Sequence, residues 1–206
     1  TSVHTNIRRI DKSNDFYTKK WHGSILSSIG HFLSRSVHTV IIGSTYHHPF
    51  MIPWGLFSGS SLRVVHNGGF RSRLDKVRSL STWPEIIDNV RVCFRNNPGE
   101  LNCGICEKCI RTKAEFAAVG ILSSSSAFRS ATLSKELIEE RVEIISSFAA
   151  LCWEEVIDPL RDRGHKSVSE AIKRKVHQYN ANRRRVEERD WRGVIKRGLR
   201  ALNLYQ

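Results

Sequence analysis

The sequence predicts an α/β fold with a parallel sheet, followed by a helical tail. Three observations predict it. Val37 to Ile42 (VHTVII) is a β-branched run closed by Gly43, an apolar stripe at helical spacing precedes it, and a basic, helix-patterned region fills the last third of the chain. A strand, a helix and a second strand in that order imply parallel pairing, because the crossover helix returns the chain to the same end of the sheet.

His4 to Ile10 (HTNIRRI) reads as a first short strand, and Asn14 and Asp15 offer side-chain oxygens for a helix N-cap. Trp21, Ile25, Ile29, Phe32 and Leu33 then recur at helical spacing, which gives one buried face ending near Ser34 and Arg35. Val37 to Ile42 is the buried strand, and Gly43 begins its turn. Ser44 to Ser61 is rich in Gly, Pro, Ser, His and Trp without periodicity, the character of a long functional loop. Leu62 to Val65 is a further strand stopped by Asn67, Gly68 and Gly69. Arg71 to Ser81 reads as a helix before Trp83 and Pro84, and Ile86 to Val90 as a short helical turn.

After the cysteines, Glu107 to Val119 reads as a helix closed by Gly120, and Ser123 to Ser126 as a linker. Leu133, Leu137, Ile138, Ile144, Ile145 and Phe148 predict one helix running through Trp153 to Val156, with Pro159 near its end. Ser167 to Tyr179 and Val186 to Leu202 predict two more. No internal repeat is present. The expected organisation is an α/β part over residues 1–121, including a cysteine loop at 91–110, and a basic helical tail over 122–206.

Composition narrows the class. Apolar residues make up 40% and charged residues 26%, values of a folded globular chain rather than a disordered or membrane one. No apolar stretch approaches the roughly 20 residues that span a bilayer, and the first residues lack the basic and apolar regions of a secretory signal. The expected location is the cytoplasm. The chain opens at Thr1 with residues that read as the inside of a domain, so it is expected to be the C-terminal part of something longer.

The net charge of +13 favours polyanionic partners, and it is concentrated: Lys173 to Arg200 holds eleven Lys or Arg residues against three acidic ones. RNA or another polyanion is therefore a candidate partner of the tail, with Tyr179 and Trp191 as stacking surfaces, against the simpler reading of a solvated helix face. A homo-oligomer is left open.

Cys93, Cys103, Cys106 and Cys109 form a C-x9-C-x2-C-x2-C pattern within seventeen positions. In a reducing compartment such a cluster is a metal site before it is a disulfide pair. A C-x2-C pair places two thiolates about 2.3 Å from one zinc ion, Gly104 relieves the turn between them, and Cys109 stands at a helix start whose dipole favours the thiolate. Four thiolates and no water make a closed, structural site, for which Zn2+ is the first candidate and iron–sulfur ligation the competitor. Cys152, beside Trp153 in an apolar helix, reads as a core residue.

The stretch RVCFRNNPGELNCGICEKCIRTKAEFAAVG, Arg91 to Gly120, resembles the zinc loop of the 7-cyano-7-deazaguanine synthase family, within the PP-loop ATP pyrophosphatase (adenine nucleotide alpha hydrolase) superfamily. There a cysteine after the last strand is followed by N-C-G-x-C-x-x-C and a helix. The likeness continues more weakly upstream to about His4. IIGSTYHHP takes the place of a strand ending in a nucleotide-facing loop, and RLDKVR, Arg73 to Arg78, resembles the K-x-E-x-V-R helix start whose lysine approaches pyrophosphate.

The resemblance implies a Rossmann-like parallel sheet, the C-terminal part of a PP-loop, or HUP, domain. It also implies an ATP-dependent enzyme that adenylates a carbonyl group and releases pyrophosphate, with ATP and Mg2+ as cofactors and a nucleotide and a small-molecule substrate as partners. Gly43, Ser44, Thr45, Tyr46 and His66 would face nucleotide or substrate, and Arg73 or Lys76 the pyrophosphate. Read from the residues themselves, His47, His48 and His66 are candidates for acid–base work or substrate binding against solvated loop histidines, Trp54, Gly55 and Phe57 for an aromatic wall against a plug at the sheet edge, and Arg71, Arg73 and Lys76 for a phosphate cluster against a solvated basic face. The phosphate loop S-G-G-x-D-S of the superfamily occurs nowhere in the sequence, and D-Y-S-G-Y-P-D does not follow Gly43. A different substrate is implied. The rival expectation is a non-catalytic zinc-stabilised module whose basic tail binds RNA.

Overall fold

The computed structural model describes residues 22–44, 54–93, 95 and 99–201. The strand expected at His4 to Ile10, the caps at Asn14 and Asp15, and Trp21, Thr45, Tyr46, His47 and His48 lie outside the described residues. The chain divides into two units, Thr1–Arg73 and Leu74–Gln206. It is mixed α/β and mostly helical.

In the first unit, helix α1 (His22–Phe32) is followed by strand β1 (Thr39–Gly43), a 3-10 turn (Trp54–Phe57) and strand β2 (Arg63–Asn67). The two strands pair in parallel, from Thr39 opposite Arg63 to Gly43 opposite Asn67. The Ser44 amide donates to the Asn67 carbonyl at 2.8 Å and carries the ladder one step past β1. Ile42, Leu62 and Val64 form the core, with Leu26, Val37, Val40 and Phe57 packed against them. Helix α1 meets β1 closely at Gly30, where a Cβ would come within 2.8 Å of a Val40 methyl, so the glycine is needed for the approach.

The structure corrects two expectations in this unit. Phe32, assigned to the buried stripe, is 85% exposed, and within the expected buried strand Ile41 is 65% exposed. Side chains alternate along a strand, so Ile41 points to the face opposite Ile42. Only the Ile42 face of this pair is covered among the described residues.

The second unit holds α2 (Arg73–Leu80, opening on the last residue of the first unit), α3 (Pro84–Asn89), α4 (Glu107–Val119), a 3-10 turn (Leu122–Ser124), α5 (Lys135–Arg141), α6 (Ser147–Asp162) and α7 (Lys166–Ala201). Helix α4 is central. Every residue from Cys109 to Ala118 is buried, including Arg111, Lys113 and Glu115, the pattern of a helix enclosed all round. It ends where expected, at Gly120 in the left-handed region (φ 88°), whose amide bonds back to the Phe116 and Ala117 carbonyls.

One core joins α4 to the helices after it: Ile110 and Phe116 belong with Phe128, Ile138, Trp153, Val156, Leu160 and Ile172. The expected boundary between residues 121 and 122 falls inside this core. Phe116 and Phe128 meet edge to face at 5.9 Å across it.

The helix expected from Leu133 through Val156 is two helices. Ser134 and Ser146 each cap one, their hydroxyls accepting from the Leu137 and Ala149 amides. Capping by serine stops the upstream chain from running on as helix. Conversely, the two helices expected over Ser167–Tyr179 and Val186–Leu202 are one, because no Gly or Pro interrupts the sequence between them. Val168, Ala171, Ile172 and Val176 bury its first half. From Asn182 to Arg192, and at Val194 and Ile195, its side chains are exposed.

Candidate metal centre

Three short features bring the thiols together. Cys93 follows α3 by four residues, Cys103 lies just before Gly104, whose φ of 72° turns the chain, and Cys106 is the N-cap of α4 with Cys109 in its first turn. The Ile110 amide bonds to the Cys106 carbonyl at 2.9 Å, which starts the helix on the third cysteine.

Asn102 fixes the two halves of the loop to each other. Its Oδ1 accepts from the Val92 and Cys93 amides at 2.9 and 3.1 Å, and its Nδ2 donates to the Val90 and Ala127 carbonyls at 2.7 and 3.0 Å. At 2% exposure the side chain is fully used, as a buried amide must be.

The four Sγ atoms lie within 4.8 Å of one another. Cys103 to Cys109 is 3.9 Å, Cys106 to Cys93 is 4.0 Å and Cys106 to Cys109 is 3.3 Å. Four thiolates about 2.3 Å from one tetrahedral ion stand about 3.8 Å apart, so these separations bracket the required edge. A cubane iron–sulfur cluster gives each thiolate its own iron and spreads the sulfurs further. The donor set therefore fits a single ion, with no position left for water.

The thiols are electrostatically unequal. Burial pushes Cys93 up, but the backbone amides of Cys103 and Arg95 and the thiols of Cys103 and Cys109 outweigh it and hold the group down at about 6. Burial, and hydrogen bonding to Cys106, raise Cys109; burial also raises Cys106. Burial lowers Lys113 on the next turn of α4, while the thiols of Cys109 and Cys103 pull it back up.

Gly43 and Ser44 at the end of β1 adjoin His66 and Asn67 at the end of β2, so Gly43, Ser44 and His66 share the carboxyl edge of the strand pair. Arg73 closes the first unit and Lys76 belongs to the second. Phe57 is a plug in the sheet core rather than a wall. The N-terminus of α2 already holds an anion: the Leu74 amide donates to Glu155 Oε2 at 2.9 Å. Cys152 is core, 1% exposed.

Asn102, Glu107, Lys113 and Trp153 had no assigned role at the level of sequence. Asn102 directly precedes Cys103, which is the one local signal that pointed to it; the others depend on contacts far along the chain. Comparison with protein-family models, curated proteins and solved structures finds no match. No helix among the described residues is long and apolar enough to cross a membrane.

Proposed function

We propose that this chain is the metal-bearing part of an ATP-dependent, pyrophosphate-releasing enzyme of the 7-cyano-7-deazaguanine synthase type, with one structural zinc ion on Cys93, Cys103, Cys106 and Cys109. The observation that carries the reading is the closure of all four thiols of the resembling motif around one point, at separations suited to one ion. Zinc is favoured because four thiolates close its tetrahedral shell and the ion itself has no redox chemistry, as a structural centre requires.

The sheet edge agrees with this reading. Open α/β sheets bind ligands at the carboxyl ends of their strands, where Gly43, Ser44 and His66 meet. In the Rossmann-like arrangement proposed, these residues, with Thr45 and Tyr46, would hold nucleotide or substrate, and the side chains of Arg73 or Lys76 would meet pyrophosphate. ATP would supply the adenylyl group transferred to the carbonyl oxygen, with pyrophosphate leaving; Mg2+ would offset the phosphate charge, and the protein would supply positioning and cationic stabilisation. With Glu155 on the α2 amide and no S-G-G-x-D-S in the sequence, the residues present do not cradle a triphosphate by themselves. The reading requires a phosphate loop from another segment or a partner. The complete unit should exchange labelled pyrophosphate into ATP; a complete, metal-loaded unit that exchanges none defeats the enzyme reading.

The outer half of α7 favours a second reading, an RNA-binding role. Arg185, Arg189 and Arg192 recur at one-turn spacing, are exposed, and make no ion pair among the described residues, and Trp191 beside them is 69% exposed. RNA titration at two salt concentrations tests it. Phosphate contacts weaken steeply with salt, and binding indifferent to salt counts against them.

A further inference from the structure

Lys113 is 3% exposed and stands one turn beyond Cys109 on α4. A buried ammonium is costly unless charge or hydrogen bonds compensate it. Its carboxylate partner is missing: no Asp or Glu among the described residues pairs with it, whereas the neighbouring Arg111 is bonded to Glu107 at 3.0 Å. What Lys113 does have is a long bond from Nζ to the Thr132 carbonyl, 3.4 Å, and the Phe128 ring 5.8 Å away. Neither neutralises a buried cation.

The ammonium faces the cysteine turn. A Cβ built on Gly104 would come within 3.4 Å of Nζ, so the charge lies against the residue that follows Cys103 and leads into Cys106. Four thiolates around a divalent ion carry a net charge of two minus, held here in a site whose Cys93 and Cys109 are buried. Such a centre needs a nearby cation as much as Lys113 needs an anion.

We propose that Lys113 is the built-in counter-ion of the metal centre, a positioning residue that stabilises the metal-loaded tetrathiolate without touching the ion. The inference rests on the metal reading above and deepens it. Lys113 offsets the negative charge that a complete sulfur shell leaves around a divalent ion. The glycine itself is explained by the turn, whose φ of 72° strains any other residue; a Cβ there would only reach ordinary contact with the ammonium.

The test uses the reduced full chain and its Lys113→Met and Lys113→Arg variants, with zinc or cobalt affinity read by chelator competition and thermal melts recorded with and without metal. Lys113→Met should lose about 10- to 100-fold in metal affinity, the range seen for outer-shell changes. Lys113→Arg, which keeps the charge, should recover most of it. The metal-loaded melting point of Lys113→Met should fall, while that of its metal-free form should stay level or rise, because an uncompensated charge has been removed. Equal losses in Met and Arg variants, or equal falls with and without metal, indicate a packing role and overturn the proposal. Wild-type uptake of metal with Lys113→Met unchanged overturns it while leaving the metal centre standing. A wild-type chain that takes up no ion overturns the centre itself.

Discussion

Trp153 on α6 donates its indole N–H to Glu107 Oε1 at 3.1 Å, and the same oxygen accepts from Arg111 at 3.0 Å. Glu107 stands between Cys106 and Cys109, so one carboxylate ties the first turn of the thiol-bearing helix to a helix forty-six residues away. The metal turn and the α6 packing are therefore one structural unit.

Trp153→Phe keeps most of the buried ring and deletes the donor. A hydrogen bond to a charged group contributes about 1.5–3 kcal/mol, and the loss should lie in that range, read from urea unfolding. Trp153→Ala adds a cavity in a side chain that is 0% exposed and should cost about 3–5 kcal/mol. A Phe variant as stable as the wild type removes the link.

Asn102→Ala leaves the Val92 and Cys93 amides and the Val90 and Ala127 carbonyls without their partner. Each buried group left unpaired costs about 1–3 kcal/mol. Hydrogen exchange of the Cys93 amide should accelerate by about 100-fold or more, with weaker metal retention. Unchanged exchange there contradicts the clamp.

Metal binding should release protons. At pH 7 the Cys93 thiol, held at about 6, is already mostly ionised, whereas Cys106 and Cys109, both raised, still carry theirs. Loading should therefore free at least two protons per ion, measured with an indicator dye in weak buffer. Because ions and protons compete for the same sulfurs, affinity should rise with pH and the ion should dissociate on acidification. Loading with no proton release contradicts thiolate ligation by this pair.

Glu155→Gln weakens the anionic cap on the Leu74 amide. The amide oxygen can still accept, so the cost should be that of the lost charge at the helix N-terminus, about 0.3–1 kcal/mol, seen as a lower urea midpoint. No change in midpoint means the charge contributes nothing.

Much of the site was legible in the sequence because its information is local. C-x2-C spacing, Gly104 and the Gly120 stop dictate a turn and a helix whatever surrounds them, and α4 runs over the expected residues. The paired strands were legible for the same reason: short β-branched runs with glycine ends. The second unit was not. Ser134 and Ser146 are helix starts that the apolar stripe across them conceals, and the lapse in apolar periodicity between Tyr179 and Val186 suggests a break where α7 runs on unbroken. Phe32 fits its stripe and is nevertheless exposed, because burial depends on what packs against the helix and not on its own spacing.

A tetrathiolate ion at the head of α4 is the central claim. Elemental analysis of the reduced, purified chain should find one equivalent of zinc, retained through dialysis, and single Cys→Ser changes at 93, 103, 106 or 109 should each strip it and lower the melting point, while Cys152→Ser keeps it. A chain without metal, or one whose bound ion survives the loss of any one of those four sulfurs, contradicts the centre.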